Sequence, residues 1–199
     1  GRVVASLPMS LLTLYKSPLV TKDTLTIAIS QSGQSPDVVE PTRYFRDGGA
    51  TTIALLNDTS SPLAEAAEWA MPLHAGKEQS VAATKSFITS LVAGARLVAE
   101  WQDDAELKAG LAALPHALRL GAQADWSAAI EVLAPARNIM VVGRGISFPI
   151  ALEAALKFKE TSALQAEAFS GAEIKHGPMA LIEEGYPLFI FATRGPAQA

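Results

Sequence analysis

Three stretches of the chain hold side chains whose types and spacing could do chemistry. The first is Ser30-Gln31-Ser32-Gly33-Gln34-Ser35, followed by Pro36. It joins an apolar, β-branched run (Thr24 to Ser30) to a segment opening with Ser-Pro, the pairing expected at a helix N-cap and first helical position. Hydroxyls, a side-chain amide, a close-approach glycine and free N–H groups at a helix start, outside the carboxyl end of a parallel strand, favour an anion. No lysine accompanies them, unlike a Walker loop, so the site suits a phosphate monoester held by neutral donors. A polar turn with a capping serine accounts for the same residues without a ligand.

The second stretch is Ala151 to Thr161 (ALEAALKFKET), where Glu153, Lys157 and Glu160 fall at i, i+4 and i+7 on one helical stripe. They could share a face and a partner, or form an exposed salt-bridged helix. Further on, SGAEIKHGP (residues 170–178) sets Ser170 and Glu173 at capping-box spacing. That predicts a short helix ending near His176 with Gly177 just beyond it. The imidazole suits proton carriage near neutral pH; a structural histidine at a helix end is the competing reading.

These groups need a frame. Short, nearly continuous apolar runs at Thr24–Ser30, Thr51–Leu56, Asn138–Val142 and Pro187–Ala192 read as parallel strands covered on both faces. Helical stretches lie between them, at Pro36–Asp47, Pro62–Ala70, Ser80–Gln102 and Pro149 to about Ala166. Alternation of this kind predicts an α/β architecture with crossover helices on both sides of a sheet. From Asp103 to Ala136 the chain is rich in Ala and Leu with a Pro115 break, and reads as a helical connector between two α/β units. The second unit offers two strand signals, too few for a covered sheet, so the expectation is a chain cut short.

Composition removes several function classes. The chain has 199 residues, 49% hydrophobic and 18% charged, enough apolar surface for a core. Its 16 Lys and Arg lie among 20 Asp and Glu, a net charge of −4, which offers no basic face to a nucleic acid. Cysteine is absent, so disulfides and thiolate chemistry are excluded. Histidines at 74, 116 and 176 lack metal-ligand spacing, so no metal is expected. No uninterrupted apolar stretch approaches ~18 residues, and the expectation is a cytoplasmic protein without a membrane partner.

The strings ISQSGQSPD, GATTIALLND, SPLAEAAEW, AGKEQSVAATKSF, GRG, ALEAALKFKET and AEAFSGAEIKHGPMALI resemble, in this order, the sugar isomerase (SIS) family. More narrowly, they are similar to the isomerase half of glucosamine-6-phosphate synthase and to isomerising glucosamine-6-phosphate deaminase. The resemblance implies two SIS-type, flavodoxin-like subdomains, each a doubly wound parallel sheet in a three-layer αβα arrangement. The first would span 1–102 and lack its first strand, 103–136 would be the helical connector, and an incomplete second subdomain would span 137–199. Truncation at both ends is expected.

The resemblance also assigns roles. Ser30, Gln31, Ser32 and Ser35 match the family's phosphate loop, where the anion argument had already pointed. Lys157 and Glu160 match the catalytic lysine and glutamate, and His176 the ring-opening histidine. In the family that histidine comes from the neighbouring subunit, which implies a homodimer. Val81 and Ala83 match a segment that touches the sugar through backbone groups; alternatively Ser80 merely caps the long helix there. The implied ligand is a hexose 6-phosphate or amino-sugar 6-phosphate, with no cofactor. The expected reaction is isomerisation with deamination of glucosamine 6-phosphate. The isomerase half of a glutamine–fructose-6-phosphate transaminase and a non-catalytic phosphosugar-sensing module are the alternatives.

Overall fold

The computed structural model of the chain describes residues 3–195. These divide into two compact units between Leu118 and Arg119. The first contains α1 (Ser10–Thr13), β1 (Leu25–Ser30), α2 (Pro36–Asp47), β2 (Thr51–Leu56), α3 (Pro62–Ala66), β3 (Trp69–Pro72) and α4 (Lys85–Gln102). Helix α5 (Ala105–Ala122) crosses the division. It runs on through Pro115, where a break was expected, although the proline removes one backbone donor from the helix interior. The second unit contains α6 (Ser127–Leu133), β4 (Asn138–Gly143), α7 (Phe148–Ser162), β5 (Gln165–Ser170) and β6 (Leu188–Phe191). Three 3₁₀ turns, at Gly145–Ser147, Glu173–His176 and Pro178–Leu181, lie among them.

In the first unit the sheet order is β1-β2-β3, all parallel, with Ser30 opposite Leu56 and Leu55 opposite Met71. The central strand is buried from Thr52 to Leu56. Because successive side chains of a strand face opposite ways, its apolar run serves two cores at once. Ala54 and Leu56 pack with Val39 of α2 and with Leu63 and Ala66 of α3. Ile53 and Leu55 pack with Leu73 and, on α4, with Ala93 and Leu97. Helices therefore cover both faces, as the unbroken apolar character of the strands requires.

The helix expected from Pro62 to Ala70 stops at Ala66, and Trp69–Pro72 forms a strand instead. The Arg46 guanidinium accounts for the stop: its Nη1 donates to the carbonyl oxygens of Glu65 (3.0 Å) and Ala67 (3.1 Å), closing the helix end. The Glu68 N–H then donates to Thr52 Oγ1 at 2.8 Å and leads the chain onto the edge of β2. Both partners are remote in sequence, so local propensity could not reveal the change.

The second sheet is also parallel, ordered β5-β4-β6, and has three strands among the described residues where two were expected. Ile139 and Val141 of β4 pack with Ala151 and Ala155 of α7 and with Ala166 of β5. The missed strand begins at the two residues read as the end of a helix, Gln165 and Ala166, and runs on to Ser170. Helix α7 ends at Ser162 because Ala163 turns left-handed (φ 50°) and the Leu164 N–H returns to the Phe158 carbonyl at 3.2 Å. This is the kind of closure that glycine usually marks. Leu164 is thereby buried, and Gln165 N–H begins the next strand by donating to Arg137 O at 3.3 Å. A left-handed alanine is disfavoured by about 1 kcal/mol relative to glycine. Ala163→Gly is therefore expected to raise the stability of the second unit by about 0.5–1 kcal/mol, read as an increased urea midpoint; an unchanged or lowered midpoint contradicts this account of the helix end.

Candidate functional site

The serine loop leaves the sheet at the carboxyl end of β1. Gly33 N–H donates to Ser30 Oγ at 3.0 Å, and Gln34 N–H donates weakly to Ser32 Oγ at 3.4 Å. A hydroxyl that accepts a hydrogen bond keeps its own O–H to donate. Two of the loop's carbonyls accept from remote backbone, Gln31 O from Asn57 N–H (3.2 Å) and Gly33 O from Leu63 N–H (3.1 Å). Ser35 takes the N-cap position before Pro36, as expected, but its hydroxyl makes no capping bond. The amides of Ser32 and Ser35 have no acceptor among the described residues. The loop thus presents unused hydroxyl and amide donors at the start of α2, the chemistry an anion needs. Asp37 shares that first helical turn, but it is exposed and its charge is screened by solvent.

Gly33 makes this conformation possible. Its φ is +65°, and a Cβ there would overlap the hydroxyl of Ser61, which is fully buried behind the loop without a hydrogen-bond partner.

Val81 and Ala83 lie in the segment that precedes α4; Val81 is fully exposed and Ala83 half-buried. The long helix begins at Lys85 rather than Ser80, and Ser80 does not cap it. Glu78 does so from outside the usual capping window: its Oε1 accepts from Thr84 N–H (3.1 Å), Ser86 N–H (2.8 Å) and Ser86 Oγ (2.9 Å). These bonds, the Ser86 amide foremost, hold the Glu78 carboxyl below the usual carboxylate range. Six and eight residues separate donor and acceptor, so the capping-box spacing that sequence reading looks for could not find it.

In the second unit the predicted stripe on α7 forms. Lys157 Nζ lies 2.7 Å from Glu160 Oε2 and 3.2 Å from Glu153 Oε1. The hydrogen bond to Glu160, with a smaller contribution from Glu153, holds the Lys157 ammonium above the ordinary lysine range despite its partial burial. Lys157 is therefore a permanent cation at neutral pH, suited to stabilising negative charge and not to acting as an amine nucleophile. Glu160 Oε1 accepts no hydrogen bond among the described residues.

His176 is exposed on the Glu173–His176 turn and forms no ion pair with Glu153 or Glu160. The expected capping box does not form. Ser170 is the last residue of β5, and its Oγ accepts only a long contact from Ala172 N–H at 3.4 Å. Strand pairing with β4 extends to Ser170 and leaves it unavailable as a helix cap. The Gly143-Arg144-Gly145 turn serves packing: a Cβ on Gly143 would overlap the backbone of Ser147 and Phe148 at the start of α7. The serine loop, Val81 and Ala83 thus belong to the first unit, and the α7 stripe and His176 to the second.

Each of the two units is a parallel α/β sheet covered by helices, with a donor-rich loop in the first and a charged helical stripe in the second. The SIS domain family matches residues 12–99 and 132–198, and the chain belongs to that family. Its sequence is 35% identical over 195 residues to glutamine–fructose-6-phosphate aminotransferase (isomerising) from Zymomonas mobilis, covering 92% of the chain and 32% of that enzyme. The chain therefore spans about a third of the length of the curated relatives it matches.

Among solved structures, a candidate phosphosugar isomerase from Silicibacter pomeroyi DSS-3 superposes with a TM-score of 0.93 at 44% identity. That match covers 98% of this chain and 59% of the other. The C-terminal domain of glucosamine-fructose-6-phosphate aminotransferase from Francisella tularensis superposes with a TM-score of 0.78 at 30% identity, covering 92% and 55%. Among the described residues, no helix is long and apolar enough to cross a membrane, and no cluster of His, Asp or Glu could hold a metal ion.

Gly33→Ala is expected to destabilise the first unit by about 2 kcal/mol or more, since it combines left-handed strain with a steric overlap. Chemical denaturation measures this, and parental stability in the variant would show that the loop does not need its left-handed glycine.

Proposed function

We propose that the chain is the phosphosugar-binding, isomerising part of an enzyme that acts on hexose 6-phosphates bearing nitrogen at carbon 2. The favoured reaction is glucosamine 6-phosphate plus water to fructose 6-phosphate plus ammonia. The observation that carries this reading is the serine loop, whose hydroxyls and Ser32 and Ser35 amides remain free to donate among the described residues while the Gln31 and Gly33 carbonyls are engaged by neighbouring backbone. A loop of that kind, without a lysine, fits a phosphate monoester.

Ser30, Gln31, Ser32 and Ser35 would hold the phosphate, the end of the sugar that does not react. That remote binding orients the opened chain against the acid and base groups. Val81 and Ala83 would contact the sugar through their backbone. His176, supplied by the neighbouring subunit of a homodimer, would assist ring opening. Glu160 would carry a proton between carbons 1 and 2, and its unengaged Oε1 leaves an atom for that transfer. Lys157, kept charged by its two carboxylates, would stabilise the oxygen on which negative charge develops. Proton movement of this kind needs no cofactor, and the cytoplasm is where such an enzyme would meet phosphorylated sugars.

A second reading, the isomerase part of a glutamine-dependent aminotransferase, is favoured by the likeness to the Zymomonas and Francisella proteins. It uses the same site for the same proton transfer and differs in where the nitrogen comes from.

With the intact protein, Glu160→Gln is expected to lower ammonia release from glucosamine 6-phosphate by about 100-fold or more, with substrate affinity little changed; a parental rate overturns the proton-transfer role. Replacing Ser30 and Ser32 together by alanine is expected to weaken glucosamine 6-phosphate binding by about 10- to 100-fold, as loss of hydrogen bonds to a charged group implies. Affinity for unphosphorylated glucosamine should be unaltered. Calorimetry that found equal losses for both sugars would remove the phosphate role.

A further inference from the structure

Asn57, the residue after β2, is bound on three sides. Its N–H donates to Gln31 O in the serine loop at 3.2 Å, its Nδ2 donates to Gly76 O at 2.7 Å, and its Oδ1 accepts from Ala75 N–H at 3.0 Å. One residue therefore joins the serine loop to the start of the 75–84 segment that carries Val81 and Ala83. The other end of that segment is held separately, by Glu78 on the first amides of α4 and by Lys85, whose ammonium donates to Lys77 O at 2.6 Å.

The backbone that Asn57 grips is not one the sequence would adopt unaided. His74 has φ +52° and Gly76 φ +68°, and a left-handed histidine persists only where its surroundings fix it. Nor does the clasp sit in a packed core. It borders an open cleft of about 620 Å³ lined by Asn57, Thr59, Pro72, His74, Gly76 and Lys77.

We propose that Asn57 is a positioning residue of the sugar site, fixing the 75–84 segment in register with the phosphate-binding loop so that phosphate and sugar are gripped together. The proposal rests on the phosphosugar reading above. Asn57 touches no reacting atom; its side chain orders the segment before ligand arrives. Without those two hydrogen bonds the ordering falls to the binding step and weakens it. A ligand that needs only the serine loop does not depend on that ordering.

Inorganic phosphate and glucosamine 6-phosphate are the two probes, titrated calorimetrically into the intact parent protein, Asn57→Ala and Asn57→Ser. Asn57→Ser keeps a small polar side chain, adds no charge beside the serine loop and is too short to make both the Gly76 O and the Ala75 N–H bonds, so it serves if the alanine variant does not fold. Each variant is expected to bind glucosamine 6-phosphate about tenfold more weakly while its affinity for inorganic phosphate stays within about twofold. Hydrogen exchange of the 75–84 amides should accelerate in the same variants. A variant that loses both affinities equally, or neither, overturns the positioning role, and so does a lowered Tm with the affinity ratio unchanged. A parent protein that binds neither probe overturns the phosphosugar reading itself, and this proposal with it.

Discussion

Parallel pairing of β1 on β2 is the constraint from which the first unit follows. With Leu25 to Ser30 in register against Thr51 to Leu56, both strands end on the same edge, and each must return through a helix because parallel neighbours cannot be joined by a tight turn. The serine loop and the Asn57 turn therefore emerge side by side. Their adjacency is not an added feature of the site but a consequence of strand direction, fixed by the Gln31–Asn57 backbone hydrogen bond that continues the ladder beyond the last paired residues.

That arrangement divides labour between backbone and side chains. Buried apolar packing by Ala54, Leu56, Leu63 and Ala66 makes the sheet and its helices rigid. The loops at its edge can then hold unsatisfied donors without collapsing onto them. Ser61 shows how close the packing comes: its hydroxyl fills the space behind Gly33, where no side chain could be tolerated. In the second unit rigidity comes from α7 lying on β4 and β5 through Ala151, Ala155, Ile139 and Ala166. The face of α7 bearing Glu153, Lys157 and Glu160 is left free to organise charge. Two carboxylates around one ammonium fix the protonation state of the lysine and leave part of Glu160 available.

The family resemblance names Lys157, Glu160 and His176 together, and the geometry joins the first two. His176 stands apart on an exposed turn with no ion pair to the α7 stripe.

What sequence alone determined were features whose signals are local. These include the short apolar runs of β1, β2, β4 and β6, the Ser35-Pro36 start of α2, and the i, i+4, i+7 spacing that placed Glu153, Lys157 and Glu160 on one face. Tertiary structure decided the rest, because the partners involved are distant along the chain. Arg46 ends α3 and frees Trp69–Pro72 to pair as β3; Ala163 turns left-handed so that β5 can lie against β4; Glu78 caps a helix that starts seven residues later; and Asn57 clasps a segment eighteen and nineteen residues away. A hydrogen bond between remote residues leaves no periodicity and no motif behind, so only the folded chain reveals it.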